Sequence, residues 1–337
     1  MLLGACGDNP NAGLKDPHQE PIDRVAKLTS SPFEAALRER VETLFGQAQG
    51  KTWLPLDGWS VMRGELKIFL EWNPPNRPLS EEAERTLGVI ESYDAMLTER
   101  GVELVLVPIP GRIEVAPNEL GEVELPQDFD GANLGFARYL ARLREMDIRV
   151  VDLLPIFLTP DESAEDPLYH RYNRHWTPRA VLLAAEKIAE HIRSIPSIEP
   201  GTLELGHDFE VVPERISYQL PPLIEEARDP IPITVHRVGR PDGGPLHIKA
   251  GTSPILFLGD SFGSFYSAER SGIVDHLFAR LGRPIDPITI RGGGASEVWK
   301  TLKRRDAPLE GKRVLIWLFT AQYLVQSSLT EVQLFED

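Results

Sequence analysis

The sequence is short of the residues that most often announce a chemistry. It has one cysteine in 337 residues, which excludes an intrachain disulfide and any zinc site built from several thiolates. No apolar run approaches the roughly 18–20 residues a membrane helix needs. There is no His-Glu-x-x-His or similar ligand cluster, so no metal is expected. There is also no glycine-rich phosphate loop, because Gly292-Gly293-Gly294 lacks the Gly-x-x-x-x-Gly-Lys pattern. No cofactor is expected either. Positive charge is scarce: 36 Lys and Arg stand against 51 Asp and Glu, a formal charge of −15. A chain this acidic repels nucleic acid and anionic lipid at long range. Its densest basic run, Lys300–Arg305, reads as a solvated helix face.

Apolar material, by contrast, is ample. Hydrophobic residues make up 42%, enough for a sizeable core in one large domain or two ordinary ones. Residues 7–30 are polar and read as a flexible tether. A first helix is expected over 32–48 after Ser31-Pro32, and a strand and turn at Trp53–Trp59. Beyond that point, short apolar strands alternate with helices. Strands are expected at Val102–Val107, Ile148–Leu154, Pro254–Gly259 and Val314–Phe319. Helices are expected over 80–100, 132–146, 296–305, and from Thr177-Pro178 to Arg193, where a capping residue before proline marks the start. This alternation predicts an α/β fold with a parallel sheet covered on both faces. Residues 195–250, rich in Pro and Gly, break the rhythm and read as an insertion before the strand that leads to Ser261. The main domain is thus placed at 50–330, after the tether and a helical segment at 31–49.

Two stretches carry chemistry. The apolar run Pro254–Leu258 ends in Gly259-Asp260-Ser261-Phe262-Gly263, which puts Ser261 at the carboxyl edge of a sheet, where ligands of open α/β folds bind. Amides of a following helix can stabilise an oxyanion there. By itself Gly-Asp-Ser says no more than a helix cap. Asn173-Arg174-His175-Trp176-Thr177-Pro178 puts His175 just ahead of a helix and outside its apolar stripe, a good place for a general base. His170 reads as a surface histidine near the same cap.

Gly-Asp-Ser-Phe, preceded in the chain by a near match to Asp-x-His-Trp-x-Pro, resembles the alginate O-acetyltransferase group of the SGNH-hydrolase superfamily. Leu104–Pro110 with Pro117–Leu120, Val151–Pro155, Gly292–Ala295 and Arg313–Phe319 are similar to that family's other segments, so the likeness covers roughly 50–330. It implies an SGNH-hydrolase-like (flavodoxin-like) three-layer sandwich in a permuted motif order, with histidine before serine. It also implies acyl transfer through a Ser261 ester, to a sugar hydroxyl (an O-acetyltransferase) or to water (an acetylesterase), with His175 as base. The Ser261 amide and a glycine of 292–294, Gly292 or Gly293 first, would form the oxyanion hole. Arg291, Tyr266 and Trp176 are expected at the substrate. In related exported enzymes a membrane-bound acyltransferase supplies the acyl group, and a polysaccharide hydroxyl receives it.

The chain departs from the family at Asn173, where an aspartate belongs. Three outcomes stay open: Asn173 orients His175 in a slower enzyme, Asp152 or Asp166 replaces it, or the site has become a binding pocket. The alternative function is accordingly a silent carbohydrate-binding or assembly protein, with Trp53, Trp59, Trp72, Trp176 and Trp299 as sugar platforms. Cys6, in Leu3-Gly4-Ala5-Cys6, resembles the lipid-acceptor cysteine of bacterial lipoproteins. Only five residues precede it, too few for an export signal, so either the start lies upstream or the likeness is chance. The first case places the protein in the periplasm or cell envelope, tethered by lipid.

Overall fold

The computed structural model describes residues 19–29, 31–72, 79–159, 166–220, 229–246, 253–325 and 329–335. In chain order, helices α1 (Gln19–Thr29) and α2 (Pro32–Gln47) precede a hairpin of β1 (Trp53–Leu56) and β2 (Trp59–Met62). Then come α3 (Arg63–Trp72), α4 (Glu81–Thr98), β3 (Glu103–Ile109), α5 (Arg112–Val115), α6 (Leu134–Glu145), β4 (Arg149–Val150), α7 (Leu154–Phe157) and α8 (Pro178–Arg193). A second hairpin, β5 (Glu210–Tyr218) and β6 (Ile231–Gly239), leads to β7 (Ile255–Gly259) and α9 (Ser261–Ser264). The chain continues through α10 (Ile273–Leu281), β8 (Asp286–Thr289), α11 (Gly294–Lys303) and β9 (Val314–Thr320).

Five strands form one sheet in the order β4-β3-β9-β7-β8, and every pair is parallel. Successive residues of the central strands enter opposite cores, as the two-residue period of a strand requires. Val314, Ile316 and Leu318 of β9 join the core under α8 and α10. Leu315, Trp317 and Phe319 join the core under α4, α6 and α11. Both faces are apolar because both are covered, which is why these strands read as continuous hydrophobic runs. The three-layer α/β architecture is thus the expected one.

Three differences have identifiable causes. Residues 19–29, read as tether, form α1. Its Arg24 is buried and donates to Asp152 at 2.9 Å, docking an otherwise polar helix by an ion pair. The segment holding Cys6 lies outside the described residues. Strand β8 escaped notice because Pro287 interrupts it, and proline is tolerated there because β8 is a sheet edge. The apolar segment 148–154 pairs only at Arg149–Val150, because Asp152 turns the chain by accepting from the Leu154 N–H at 3.0 Å. Helices α3 and α10, both short, were also not anticipated. The 195–250 segment does depart from the βα rhythm: β5 and β6 pair with each other, antiparallel, outside the main sheet.

Candidate active site

Strand β7 delivers Ser261 to the carboxyl edge of the sheet. The turn is tight at its two glycines. A Cβ on Gly259 would stand 2.7 Å from Phe257 Cε1 and 3.1 Å from Gly263 Cα, and one on Gly263 would stand 3.1 Å from the same Phe257 atom. Asp260, 1% exposed, organises the turn. One oxygen accepts from the Phe262 N–H at 2.9 Å and the other from the Thr320 N–H at 3.0 Å, tying the start of α9 to the end of β9. Burial raises its carboxyl to about pH 6, against the pull of these amides, of the Gly263 amide and of Arg174. Asp260 therefore claims two amides of the turn and leaves that of Ser261 itself. Helix α9 has only four residues, so the single amide matters more here than any helix dipole.

His175 meets this turn from the opposite loop. Its Nε2 lies 2.9 Å from Ser261 Oγ, and its Nδ1 lies 2.7 Å from Asn173 Oδ1. The same Oδ1 also accepts from the His175 backbone N–H at 3.0 Å. That second bond decides the amide's orientation. A backbone N–H can only donate, so the atom facing it is oxygen, and the ring nitrogen facing that oxygen must carry a hydrogen. The imidazole is then held with a proton on Nδ1 and a lone pair on Nε2 toward Ser261. This is the tautomer a general base needs.

Two phenylalanines hold the ring in place. Phe265 stacks on His175 at 4.0 Å and 14°, and Phe262 lies 4.6 Å from it. Burial first, then the charges of Arg174, His170 and Arg291, depress its pKa to about 2. Among the described residues, no carboxylate opposes them. Asp152 is committed to Arg24 and the Leu154 amide, and Asp166 lines a separate cavity of about 250 Å³ with His170 and Tyr172. Neither takes the place of Asn173.

Behind the histidine, Tyr266 is fully buried in the left-handed region at φ 61°. Such a backbone costs about 1–3 kcal/mol and persists only where the surroundings demand it. Here its hydroxyl donates to the Trp176 carbonyl at 3.0 Å and lies 2.6 Å from His170 Nε2. The hydroxyl has one proton, so His170 must donate from Nε2. His170 is not on the surface, as expected, but 3% exposed, and burial lowers its pKa to about 4. Its backbone N–H donates to the His175 carbonyl at 3.1 Å. Trp176 is also fully buried, edge-on to Phe262. Tyr266 and Trp176, expected at the substrate, thus brace the loop of His175 from within. Among the tryptophans considered as sugar platforms, Trp72, Trp176 and Trp299 are sealed in the core and Trp53 is 9% exposed. Only Trp59 is half-buried, with Arg112 and Arg171 over its ring.

The glycine loop follows β8, the neighbour of β7, and the Ile290 N–H donates to the Gly259 carbonyl at 3.0 Å. Gly292 needs its positive φ of 73° and has open space where a Cβ would stand, whereas Gly293 packs on Ile290 and Glu297. Arg291 is exposed and lies 5.6 Å over Phe265. Among the described residues, no hydrogen bond joins this loop to Ser261.

Sequence reasoning passed over several neighbours. Phe262 and Phe265 grip the imidazole. Arg174 lies inside the histidine motif, and its charge beside a base was the available signal. Thr320 ends β9 and Gln322 follows it, and both line, with Arg174 and Phe262, a cavity of about 50 Å³. Nothing in their local sequence marked them, because they reach the site through strand order.

A parallel sheet with a Ser–His–Asn line at its carboxyl edge defines a serine-hydrolase-like α/β domain of the SGNH type. The chain belongs to the family described as SGNH hydrolase-like domain, acetyltransferase AlgX, which matches residues 68–321. It is 27% identical over 252 residues to the alginate biosynthesis protein AlgX of Pseudomonas syringae pv. tomato, across 69% of this chain and 49% of that one. It is 25% identical over 264 residues to the probable alginate O-acetylase AlgJ of Pseudomonas fluorescens, across 75% of this chain and 65% of that one. The chain thus spans about half to two thirds of the length of these relatives. Its fold is similar to the O-acetyltransferase domain of Pseudomonas putida AlgJ, with a TM-score of 0.58, 18% identity, and coverage of 83% and 93% of the two chains.

Proposed function

We propose that the protein is an exported O-acetyltransferase acting on hydroxyls of a polysaccharide through an acetyl ester of Ser261. The observation that carries this reading is the continuous hydrogen-bonded line Ser261–His175–Asn173. His175 Nε2 takes the Oγ proton as Oγ attacks the acetyl carbonyl. The Ser261 amide, with an amide of the Gly292–Gly293 loop, receives the oxyanion. The tetrahedral species collapses, and His175 returns the proton to the leaving group. In the second half, His175 removes a proton from a sugar hydroxyl, which attacks the acetyl ester. Collapse frees Ser261 and the acetylated sugar. Water in place of the sugar would make the protein an acetylesterase.

The family membership supports a polysaccharide acceptor, since its relatives are named for alginate biosynthesis. A membrane-bound acyltransferase would supply the acetyl group, and the setting would be the periplasm or cell envelope, with lipid on Cys6 as tether. Incubation with p-nitrophenyl acetate followed by peptide mass spectrometry tests the central step. An acetyl adduct on the Ser261 peptide, absent in Ser261→Ala and accumulating in His175→Ala only slowly, is expected. Equal hydrolysis by wild type and Ser261→Ala would sink the reading. The second reading, a silent carbohydrate-binding protein, draws on one observation: among the described residues, no carboxylate faces His175. Oligosaccharide binding without acetylation of Ser261 would favour it.

A further inference from the structure

The geometry points to a carboxylate-binding site in the cavity beside Ser261, formed by Arg174, Thr320 and Gln322, whose bound carboxylate supplies the counter-charge that Asn173 does not give His175. The inference rests on the acyl-transfer reading for its catalytic half only.

Three residues with donor groups line it. Arg174 has no carboxylate within ion-pair distance among the described residues; its protein acceptor is Gln322 Oε1, at 3.1 Å. That contact turns the amide oxygen of Gln322 toward the guanidinium and leaves its Nε2–H₂ to donate elsewhere. Thr320 is 7% exposed, and its Oγ1 is buried with no hydrogen-bond partner among the described residues. An unpartnered buried hydroxyl is costly, and a ligand oxygen would relieve the cost. All three residues line the same cavity as Phe262, the residue after Ser261.

The acids of that lining are occupied. Glu114 accepts from Asn133 Nδ2 at 2.6 Å, and burial raises its carboxyl to about pH 7, so it is largely uncharged in mild acid. Glu65 lies 4.0 Å from Arg112 and accepts from the Met62 N–H at 2.9 Å. Asp260 senses Arg174, yet both its oxygens are held by backbone amides. The free positive charge in the cavity therefore belongs to Arg174.

His175 is surrounded by the wrong sign of charge for its task. Arg174 and His170 face it from its own loop and Arg291 from the loop after β8. Tyr266 and Tyr218 lie behind it, near His170 and Phe265, and burial raises both phenols, so neither supplies negative charge. When His175 takes the Ser261 proton, the imidazolium meets two guanidiniums and the neutral Asn173. A carboxylate on Arg174 would cancel one of them and restore the charge balance of an aspartate-containing triad. The carboxylate can come from an acidic sugar of the acceptor or from a free small acid.

Binding and rate measurements on the intact chain separate these claims. Calorimetric titration with sodium formate, methyl glucuronoside and neutral methyl glucoside should show saturable binding of the two acids and none of the glucoside. Arg174→Gln and the near-isosteric Thr320→Val should each weaken binding at least about tenfold. Tighter binding of the glucuronoside than of formate identifies an acidic sugar as the source, and equal binding identifies the free acid. Absence of acid binding, or equal binding by both variants, overturns the site. Formate should raise p-nitrophenyl acetate hydrolysis several-fold in wild type and leave Asn173→Asp, which has its own charge, unchanged. Equal stimulation of the two overturns the counter-charge role. A protein that binds formate through Arg174 but never acetylates Ser261 overturns the acyl-transfer reading and leaves the carboxylate site standing.

Discussion

Among the described residues, two serine–histidine side-chain pairs lie within hydrogen-bond distance, and their settings differ. Ser261 Oγ and His175 Nε2 stand 2.9 Å apart at the carboxyl edge of the sheet, half-buried, with a third residue fixing the tautomer. Ser271 Oγ and His276 Nε2 stand 3.2 Å apart where the β5–β6 hairpin packs on α10, and they are 0% and 1% exposed. Ser271 Oγ also accepts from the His236 N–H at 2.9 Å, and among the described residues His276 Nδ1 has no hydrogen-bond partner. The first pair has a ring braced by two phenylalanines and a cavity beside it. The second has neither an orienting residue nor a way in. Proximity of the two side chains is therefore a weak criterion, and the strand edge and the third residue make the difference.

The comparison breaks most readily at the serines. Ser261→Ala should lower p-nitrophenyl acetate turnover at least about 10³-fold. Ser271→Ala should leave turnover per folded molecule unchanged and lower the urea stability by about 1–2 kcal/mol through lost buried hydrogen bonds. Comparable turnover losses in both would erase the distinction. Next comes the orienting residue. Asn173→Asp should raise turnover about tenfold, an effect near 1.4 kcal/mol on the barrier, and Asn173→Ala should lower it. A carboxylate beside Nδ1 favours the charged ring, so the acid limb of the rate profile should move upward in pH in Asn173→Asp. Wild type should keep its rate well below pH 6. An unshifted limb would mean that residue 173 does not face the working base.

Tyr266→Phe should cost about 1–2 kcal/mol of stability and a smaller loss in turnover, because His175 is also held by Asn173 and Phe265. A turnover loss as large as that of Ser261→Ala would make Tyr266 part of the chemistry. The smallest effect concerns the sealed pair. Burial lowers the His276 pKa to about 3, from about 6.5 in an unfolded chain. The unfolded state thus binds more protons between those values, and the stabilising contribution present above pH 6.5 is lost as pH falls toward 3. His276→Gln should flatten the fall in urea midpoint between pH 7 and pH 5. An unchanged slope would show that His276 is not held neutral.

Much of this frame was legible in the chain. The apolar runs at 102–107, 254–259 and 314–319 marked buried parallel strands, since each strand serves two cores. Thr177-Pro178 marked the start of α8, and the two motifs marked Ser261 and His175. Elements whose stability comes from partners were not legible. Polar α1 is docked by Arg24 on Asp152, and β8 contains a proline that only an edge position allows. Sequence rank also misjudged Tyr266, Trp176 and His170, because polarity near a motif does not distinguish a ligand contact from a buried strut.

The sequence by itself determined the strand period, the turn chemistry of Gly259–Gly263, and the places of Ser261 at a strand end and of Asn173 and His175 just ahead of a helix, because these depend on residues adjacent in the chain. Tertiary structure alone decided which nitrogen of His175 faces Ser261, which carboxylates are committed elsewhere, and that Arg174, Thr320 and Gln322 share a cavity. These depend on strand order and burial, which join residues more than a hundred positions apart and set the protonation of each.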